Sequence, residues 1–306
     1  MKILFMGTPE IAAVCLRALA QKHEICGVFC QPDKPVGRKA ILTAPPVKQT
    51  AQQLGFCVYQ PTKLRDGSAA ELIRGLDPDM IAVVAYGRIL PEDILNIPKY
   101  GCVNIHASLL PKYRGAAPIQ RALINGESET GVCAMYMAAG MDTGDVIEER
   151  RCAITDDDDA VTMFDKLGEI GAQLLCDTAD AIQNGVIRRT PQNDAAATVA
   201  LMLEKSEGLF GWHDAARDIF NKARGMVIWP NAFFMCDGKK IKLMKSRALD
   251  KSGAPGEVLS LDPLTVAAGS GSVELLEVKP EGSRLMTGRE WAAGRRLKVG
   301  AFLPEE

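Results

Sequence analysis

The stretch Lys2-Ile-Leu-Phe-Met6, then Gly7-Thr-Pro-Glu10, then Ile11 to Gln21 sets a pattern that the first half of the chain repeats. A run of five residues with a continuous apolar core is too short for a buried helix and suits a strand covered on both faces. Gly7 and Thr8 turn the chain. Pro9 is tolerated in the first turn of a helix, where its missing N–H would be unpaired anyway, so a helix is expected to about Gln21. The same alternation recurs downstream. Strands are predicted at Glu24–Cys30, Cys57–Tyr59, Met80–Tyr86 and Gly101–Ile105, and helices at Pro46–Leu54, Ser68–Leu76 and Pro118–Asn125. Strands that alternate with helices imply an α/β, Rossmann-like, mostly parallel sheet with helices on both faces.

Two further strands, Val132–Met137 and Asp145–Ile154, flank a polar loop, and a long helix follows from about Asp159 to Asn184. The acidic run Asp156–Asp159 sits at the start of that helix, where negative charge is favourable, and reads as a solvated cap. After Gly185 the composition shifts. TPQNDAAATVA, residues 190–200, is small and polar and reads as a linker. Beyond it come short runs at close spacing: Phe233–Cys236, an Asp237-Gly238 turn, Ile241–Lys245, Gly256–Ser260, Thr265–Ala268 and Val273–Val278. This is the signature of a small β-barrel, OB-like. The expected organisation is a catalytic domain over 1–189, a linker over 190–206 and a β domain over 207–306.

Composition narrows the function. A chain of 306 residues exceeds what one compact core usually holds. The net charge of −2 excludes a whole-molecule basic field, so any grip on nucleic acid must come from local patches. The nine cysteines form no C-x-x-C and sit mostly in apolar runs, which reads as reduced core thiols with no metal site. No apolar run approaches the roughly 18 residues of a membrane span, and the N-terminal run is too short for a signal peptide. The expectation is a cytoplasmic monomer without metal or membrane association.

The chemistry-bearing segment is CVNIHASLLPKYRGAAPIQ, residues 102–120. Asn104 and His106 lie two apart on a strand, so both side chains leave one face. They stand where the strand ends, and in an open α/β sheet the carboxyl ends of strands border the ligand crevice. An amide that donates to a developing oxyanion and an imidazole that handles a proton suit acyl transfer. A strand-end histidine alone is more often structural. A second polar loop, Gly140-Met-Asp-Thr-Gly-Asp145, carries Asp142, which could orient that imidazole and raise its pKa.

Taken in order, Asn104-x-His106, Ser108-Leu-Leu-Pro111-x-x-Arg114-Gly115-x-x-Pro118 and Asp142-x-Gly144 resemble the signature of the folate-dependent formyltransferases. The resemblance implies that Asn104, His106 and Asp142 are the catalytic trio. It also implies that Ser108, Leu109, Leu110 and Pro111 contact the folate, and that Tyr86, Gly87, Ile89 and Leu90 line its pterin pocket. 10-Formyltetrahydrofolate is then the formyl donor. Two departures stand out: Cys133 where many relatives carry a hydroxyl residue, and Ala138 where they carry an acid.

The opening ten residues and Gln31-Pro-Asp-Lys-Pro-Val-Gly-Arg-Lys39 are similar to the branch of that family acting on methionyl initiator tRNA. There a basic loop wedges against the acceptor end, a role that maps onto Arg38 and Lys39. A basic cluster in itself describes a solvated loop equally well. Lys240 and Lys242 alternate with Ile241 and Leu243, which puts a charged face on one strand of the second domain and suits phosphate contact. Two alternatives remain. One is an amino-sugar nucleotide as acceptor. The other is a non-catalytic nucleotide- or RNA-binding protein, against which the Asn/His/Asp set argues.

Overall fold

The computed structural model describes residues 1–37 and 40–304. The chain divides into two compact units that interleave in sequence. Unit 1 comprises Met1–Gly115, Glu129–Ala153 and Phe164–Ala200; unit 2 comprises Ala116–Ser128, Ile154–Met163 and Leu201–Glu306.

Unit 1 is built on a seven-stranded sheet. Its strands are β1 (Lys2–Gly7), β2 (Glu24–Phe29), β3 (Val58–Tyr59), β4 (Met80–Val84), β5 (Cys102–His106), β6 (Glu129–Tyr136) and β7 (Val146–Ala153). The spatial order is β7-β6-β5-β4-β1-β2-β3. The pairs β3–β2, β2–β1, β1–β4 and β4–β5 are parallel, while β5–β6 and β6–β7 are antiparallel. Helices α1 (Glu10–Leu19), α2 (Pro46–Gln53), α3 (Ser68–Leu76) and the short α4 (Glu92–Leu95) provide the crossovers between parallel strands. β4 is buried along its whole length, as its unbroken MIAVV predicts. Each such Val or Ile contributes about 1.5–3 kcal/mol by leaving water. The order reverses between β1 and β4, so a crevice opens at the carboxyl ends of these strands, next to the end of β5.

The segment read as a linker is structured as far as Ala200. Val199 and Ala200 pair in parallel with Arg114 and Gly115. Thr190 bridges Val146, and Asn193 caps a short 3-10 turn over Asp194–Ala196. The acidic run also differs from a wholly solvated cap. Asp159 accepts from the Thr162 N–H at the helix start, but Asp158 is buried and accepts from Thr155 and Thr162. The helix it precedes, α6, spans Ala160–Gln183, and the preceding α5 spans Pro118–Ile124.

Unit 2 contains an antiparallel sheet of β8 (Ala232–Cys236), β9 (Lys239–Leu249), β10 (Val258–Leu261), β11 (Leu264–Ala267) and β12 (Ser272–Pro280), ordered β8-β9-β12-β11-β10. Met286 and Thr287 add a short pairing to β12. The Asp237-Gly238 hairpin forms as predicted. Both residues take positive φ, 49° and 68°, which matches the twist of the two strands it joins. Phe210, Trp212, Phe234 and Trp291 cluster in the core, with helix α7 (Ala216–Gly225) packed on it. Helix α8 (Gly288–Gly294) opens with a capping box between Thr287 and Glu290.

Candidate active site

Strand β5 brings Asn104 and His106 to the crevice end of the sheet, opposite Met135 and Cys133 of β6. Both are almost buried, at 9% and 6% exposure. Among the described residues the Asn104 amide makes no side-chain hydrogen bond, which leaves its N–H groups for a ligand. The His106 ring is held on one side by the Tyr113 carbonyl, 2.9 Å from Nε2. That contact favours a proton on Nε2 and leaves Nδ1 as the reactive nitrogen. Nδ1 faces Asp142 Oδ2 at 3.6 Å, near enough to stabilise an imidazolium but beyond hydrogen-bond length.

Asp142 takes a left-handed backbone conformation (φ 54°), which aspartate tolerates better than most residues. Its Oδ2 accepts from the Gly115 N–H at 2.8 Å. Gly115 itself has φ 118°, and a Cβ there would stand 2.9 Å from the Ala200 carbonyl oxygen. Glycine is required on both counts. The Arg-Gly pair of the motif thus has a structural meaning: Gly115 brings its N–H to the carboxylate, and the buried Arg114 reaches Gln192 Oε1 (3.0 and 2.8 Å) and Asp194. Gln192 in turn donates to the Asp142 and Gly144 carbonyls.

The Ser108–Pro111 segment is mostly built into the body of unit 1. Ser108 is fully buried and donates to the Lys112 carbonyl at 2.7 Å. Leu109 is partly exposed and lies over Gly131, where a Cβ would come within 2.5 Å of Leu109 Cδ2. Leu110 packs with Cys133 and Met135, while Pro111 is partly exposed. Cys133 Sγ accepts from the Leu110 N–H at 3.4 Å, the bond that a serine or threonine hydroxyl could also accept. Burial pushes its thiol up to about 12, so it stays protonated and inert. Ala138 is exposed at the start of the Asp142 loop.

On the other wall, Gly87 and Ile89 are exposed, Ile89 to 59%. Tyr86 and Leu90 instead turn their side chains into the core beside Phe29 and Leu64, each 2% exposed. Of these four positions, Gly87 and Ile89 are the exposed ones. Beside Ile89 a cavity of about 550 Å³ is lined by Lys63, Leu64, Arg65, Asp66, Arg88 and Ile89. Arg38 and Lys39 lie outside the described residues. The strands on either side, Lys34–Val36 and Ile41–Thr43, pair as an antiparallel hairpin with Val36, Ile41 and Leu42 exposed.

In unit 2, Lys240 and Lys242 share one face of β9 with Phe233 and Met235 of β8 and Lys279 of β12. Lys240 lies 3.8 Å from the Phe233 ring centroid, and Lys242 donates to Asn231 Oδ1 at 2.7 Å. Burial, then the neighbouring Lys279 and Lys240, pull the Lys242 ammonium below its usual range. Among the described residues, no group of three or more His, Cys, Asp or Glu is arranged to hold a metal ion. Sequence reasoning missed the ties that Gln192 makes, because it carries no local pattern and its partners lie far away in sequence.

Comparison with known proteins matches the chain to one family. Residues 1–179 match the model of the formyl transferase family, and residues 202–296 match that of the formyl transferase C-terminal domain. The chain is 44% identical to the methionyl-tRNA formyltransferase of Citrifermentans bemidjiense over 306 residues, covering 99% of this chain and 96% of the relative. It is 44% identical to the enzyme of the same name from Geobacter sulfurreducens over 308 residues, covering 100% and 97%. Among solved structures, the sugar 3N-formyl transferase WlaRD superposes with a TM-score of 0.69 at 16% identity, over 93% of this chain and 99% of that one. HypX from Aquifex aeolicus, solved in complex with tetrahydrofolic acid, gives 0.67 at 17% identity; the match covers 98% of this chain and about half of HypX, 48%. These distant likenesses extend to the fold. The near-full-length identity goes further, and the chain belongs to the methionyl-tRNA formyltransferase family of formyl transferases.

Proposed function

We propose that this protein transfers the formyl group of 10-formyltetrahydrofolate to the α-amino group of methionyl initiator tRNA, in the cytoplasm and as a monomer. The observation that carries the reaction is the 3.6 Å approach of the His106 ring to the Asp142 carboxylate, with Asn104 two residues earlier on the same face of β5. The acceptor is supported by full-length relatives named for methionyl-tRNA. When bound, 10-formyltetrahydrofolate supplies the electrophilic formyl carbon and, at N10, the leaving nitrogen. Asn104 donates to the formyl oxygen as it gains negative charge. His106 Nδ1 takes the proton lost by the attacking amine and returns it to the leaving nitrogen, so the amine C–N bond forms as the N10–C bond breaks. Asp142 stabilises the imidazolium between these two transfers.

The residues suit a folate. Ile89 and Leu109 offer apolar contact, and the cations Lys63, Arg65 and Arg88 around the neighbouring cavity match an acidic tail. In the second unit, Lys240 and Lys242 are assigned to tRNA phosphates, as are Arg38 and Lys39 of the first. No helix among the described residues is long and apolar enough to cross a membrane.

The test is to supply 10-formyltetrahydrofolate with charged initiator methionyl-tRNA and assay base-resistant formylmethionine. Elongator methionyl-tRNA and an amino-sugar nucleotide run alongside. The expected product is formylated initiator tRNA alone. A formylated sugar, or free formate without a tRNA product, would overturn the acceptor assignment.

A further inference from the structure

The loop between β6 and β7 carries Asp142; the Tyr136 N–H closes its base on the Asp145 carbonyl at 2.9 Å, while its tip makes few ties of its own. It is longer than a tight hairpin turn, its residues 138–141 and 143 are exposed, and Asp142 sits at positive φ. From outside, the loop is held by the Gly115 N–H on the Asp142 carboxylate and by one side chain, Gln192, on its backbone. The Gln192 amide nitrogen donates to the Asp142 carbonyl at 2.8 Å and to the Gly144 carbonyl at 2.7 Å. Both of its N–H bonds are thus spent on carbonyls two residues apart, which opposes rotation of the 142–143 and 144–145 peptide units. The Gln192 oxygen accepts from Arg114 Nε and Nη2, and Arg114 is itself buried. Arg114 also precedes Gly115, whose N–H holds the Asp142 carboxylate. The backbone of this segment is anchored by pairing of Val199 and Ala200 with Arg114 and Gly115. Gln192 thus joins, beside the Gly115–Asp142 bond, the Asp142 loop to the segment whose Tyr113 carbonyl holds the His106 ring.

We infer that Gln192 is a positioning residue for formyl transfer, acting through Asp142, and this inference rests on the role proposed above for that carboxylate. The chemistry of the position admits few replacements. Glutamate keeps an acceptor for Arg114 but has no N–H to donate. Lysine and arginine can donate but give Arg114 no acceptor. A displacement of about 1 Å at a reacting group can cost on the order of 100-fold in rate.

The test is a double-mutant cycle in the full-length enzyme, read by single-turnover rate and by KM for each substrate. Gln192→Ala is expected to lower the rate about 10- to 100-fold, with both KM values within about twofold of wild type. Gln192→Glu is expected to lose as much, although it preserves a partner for Arg114. In an Asp142→Asn background, Gln192→Ala should cost less than about twofold, because the carboxylate it positions is already gone. Losses that multiply in the double variant, a loss confined to KM, or a Gln192→Glu enzyme at the wild-type rate would each overturn the inference. Were Asp142→Asn itself to leave the rate unchanged, the catalytic assignment of Asp142 would fail instead.

Discussion

At the scale of single residues, polar atoms divide into those with a partner in the protein and those without. His106 Nε2 has the Tyr113 carbonyl, and the Asp142 carboxylate has the Gly115 N–H. Among the described residues the buried Tyr86 hydroxyl has no partner, and burial pushes its phenol up to about 12 despite the nearby Arg88 cation. Leaving a buried hydroxyl unmade costs about 1–3 kcal/mol. Tyr86→Phe is therefore expected to raise the melting temperature by a few degrees, by calorimetry, with the KM for folate unchanged. The sign of the pH effect follows. A phenol raised above its unfolded value of about 10 contributes stability below that pH and loses it as pH rises through about 12. A tyrosinate absorbance titration should show wild type retaining one more un-ionised tyrosine than Tyr86→Phe across that window. That Asn104 and His106 share one face at a strand end was legible from the strand period, whereas the approach of Asp142 to His106 depends on the fold. Tyr86 and Leu90 were legible as a loop but not as core. Their neighbours Gly87 and Ile89 stay exposed, and only the fold decides which way each turns.

At the scale of elements, the loop from Tyr86 to Pro91 is held much as the Asp142 loop is. It leaves β4 through Ala85 and Gly87, both at positive φ, and alanine is strained there. Thr8 donates to the Tyr86 carbonyl, and Gln31 both donates to that carbonyl and accepts from Arg88 Nε. Gln31→Ala removes two of these ties. It is expected to raise the KM for 10-formyltetrahydrofolate about tenfold, with the saturated rate changed less; an unchanged KM would show that the loop holds without them. The parallel order of β1 to β5 was readable from alternation alone. The antiparallel turn to β6 and β7 was visible as two runs about one loop, although their direction was not. Residues 190–200 read as a linker, and their order was not legible. Their small polar side chains carry no hydrophobic period, and what orders them is backbone pairing to Arg114 and Gly115 plus one glutamine.

At the scale of the whole molecule, a net charge of −2 and an RNA substrate are compatible because the positive charge is local. Lys242 lies directly opposite Lys279 across two strands, a like-charge pairing that destabilises a sheet unless something else selects it. Lys242→Ala is expected to leave thermal stability equal or higher. In filter binding across a salt series it should weaken tRNA binding and reduce the slope of log affinity against log salt by about one. An unchanged slope would remove this face from the RNA contact. That one face of β9 is charged was legible from the alternation of Lys240 and Lys242 with Ile241 and Leu243. Lys279 was not, since its place beside them depends on a register set 37 residues away.

The interleaving of the two units also bears on how the chain is made. A ribosome releases residues in order, and Ala116–Ser128 emerges long before the rest of its unit, which begins in earnest at Leu201. Ala117 and the partly buried Ile124 find their packing partners in Leu203 and Met226. During synthesis these early apolar side chains must wait through about 80 residues of elongation, several seconds at cellular rates. A nascent chain stalled near position 190 should therefore present a greasy segment that trigger-type chaperones can engage, and release it once Met226 has cleared the exit tunnel.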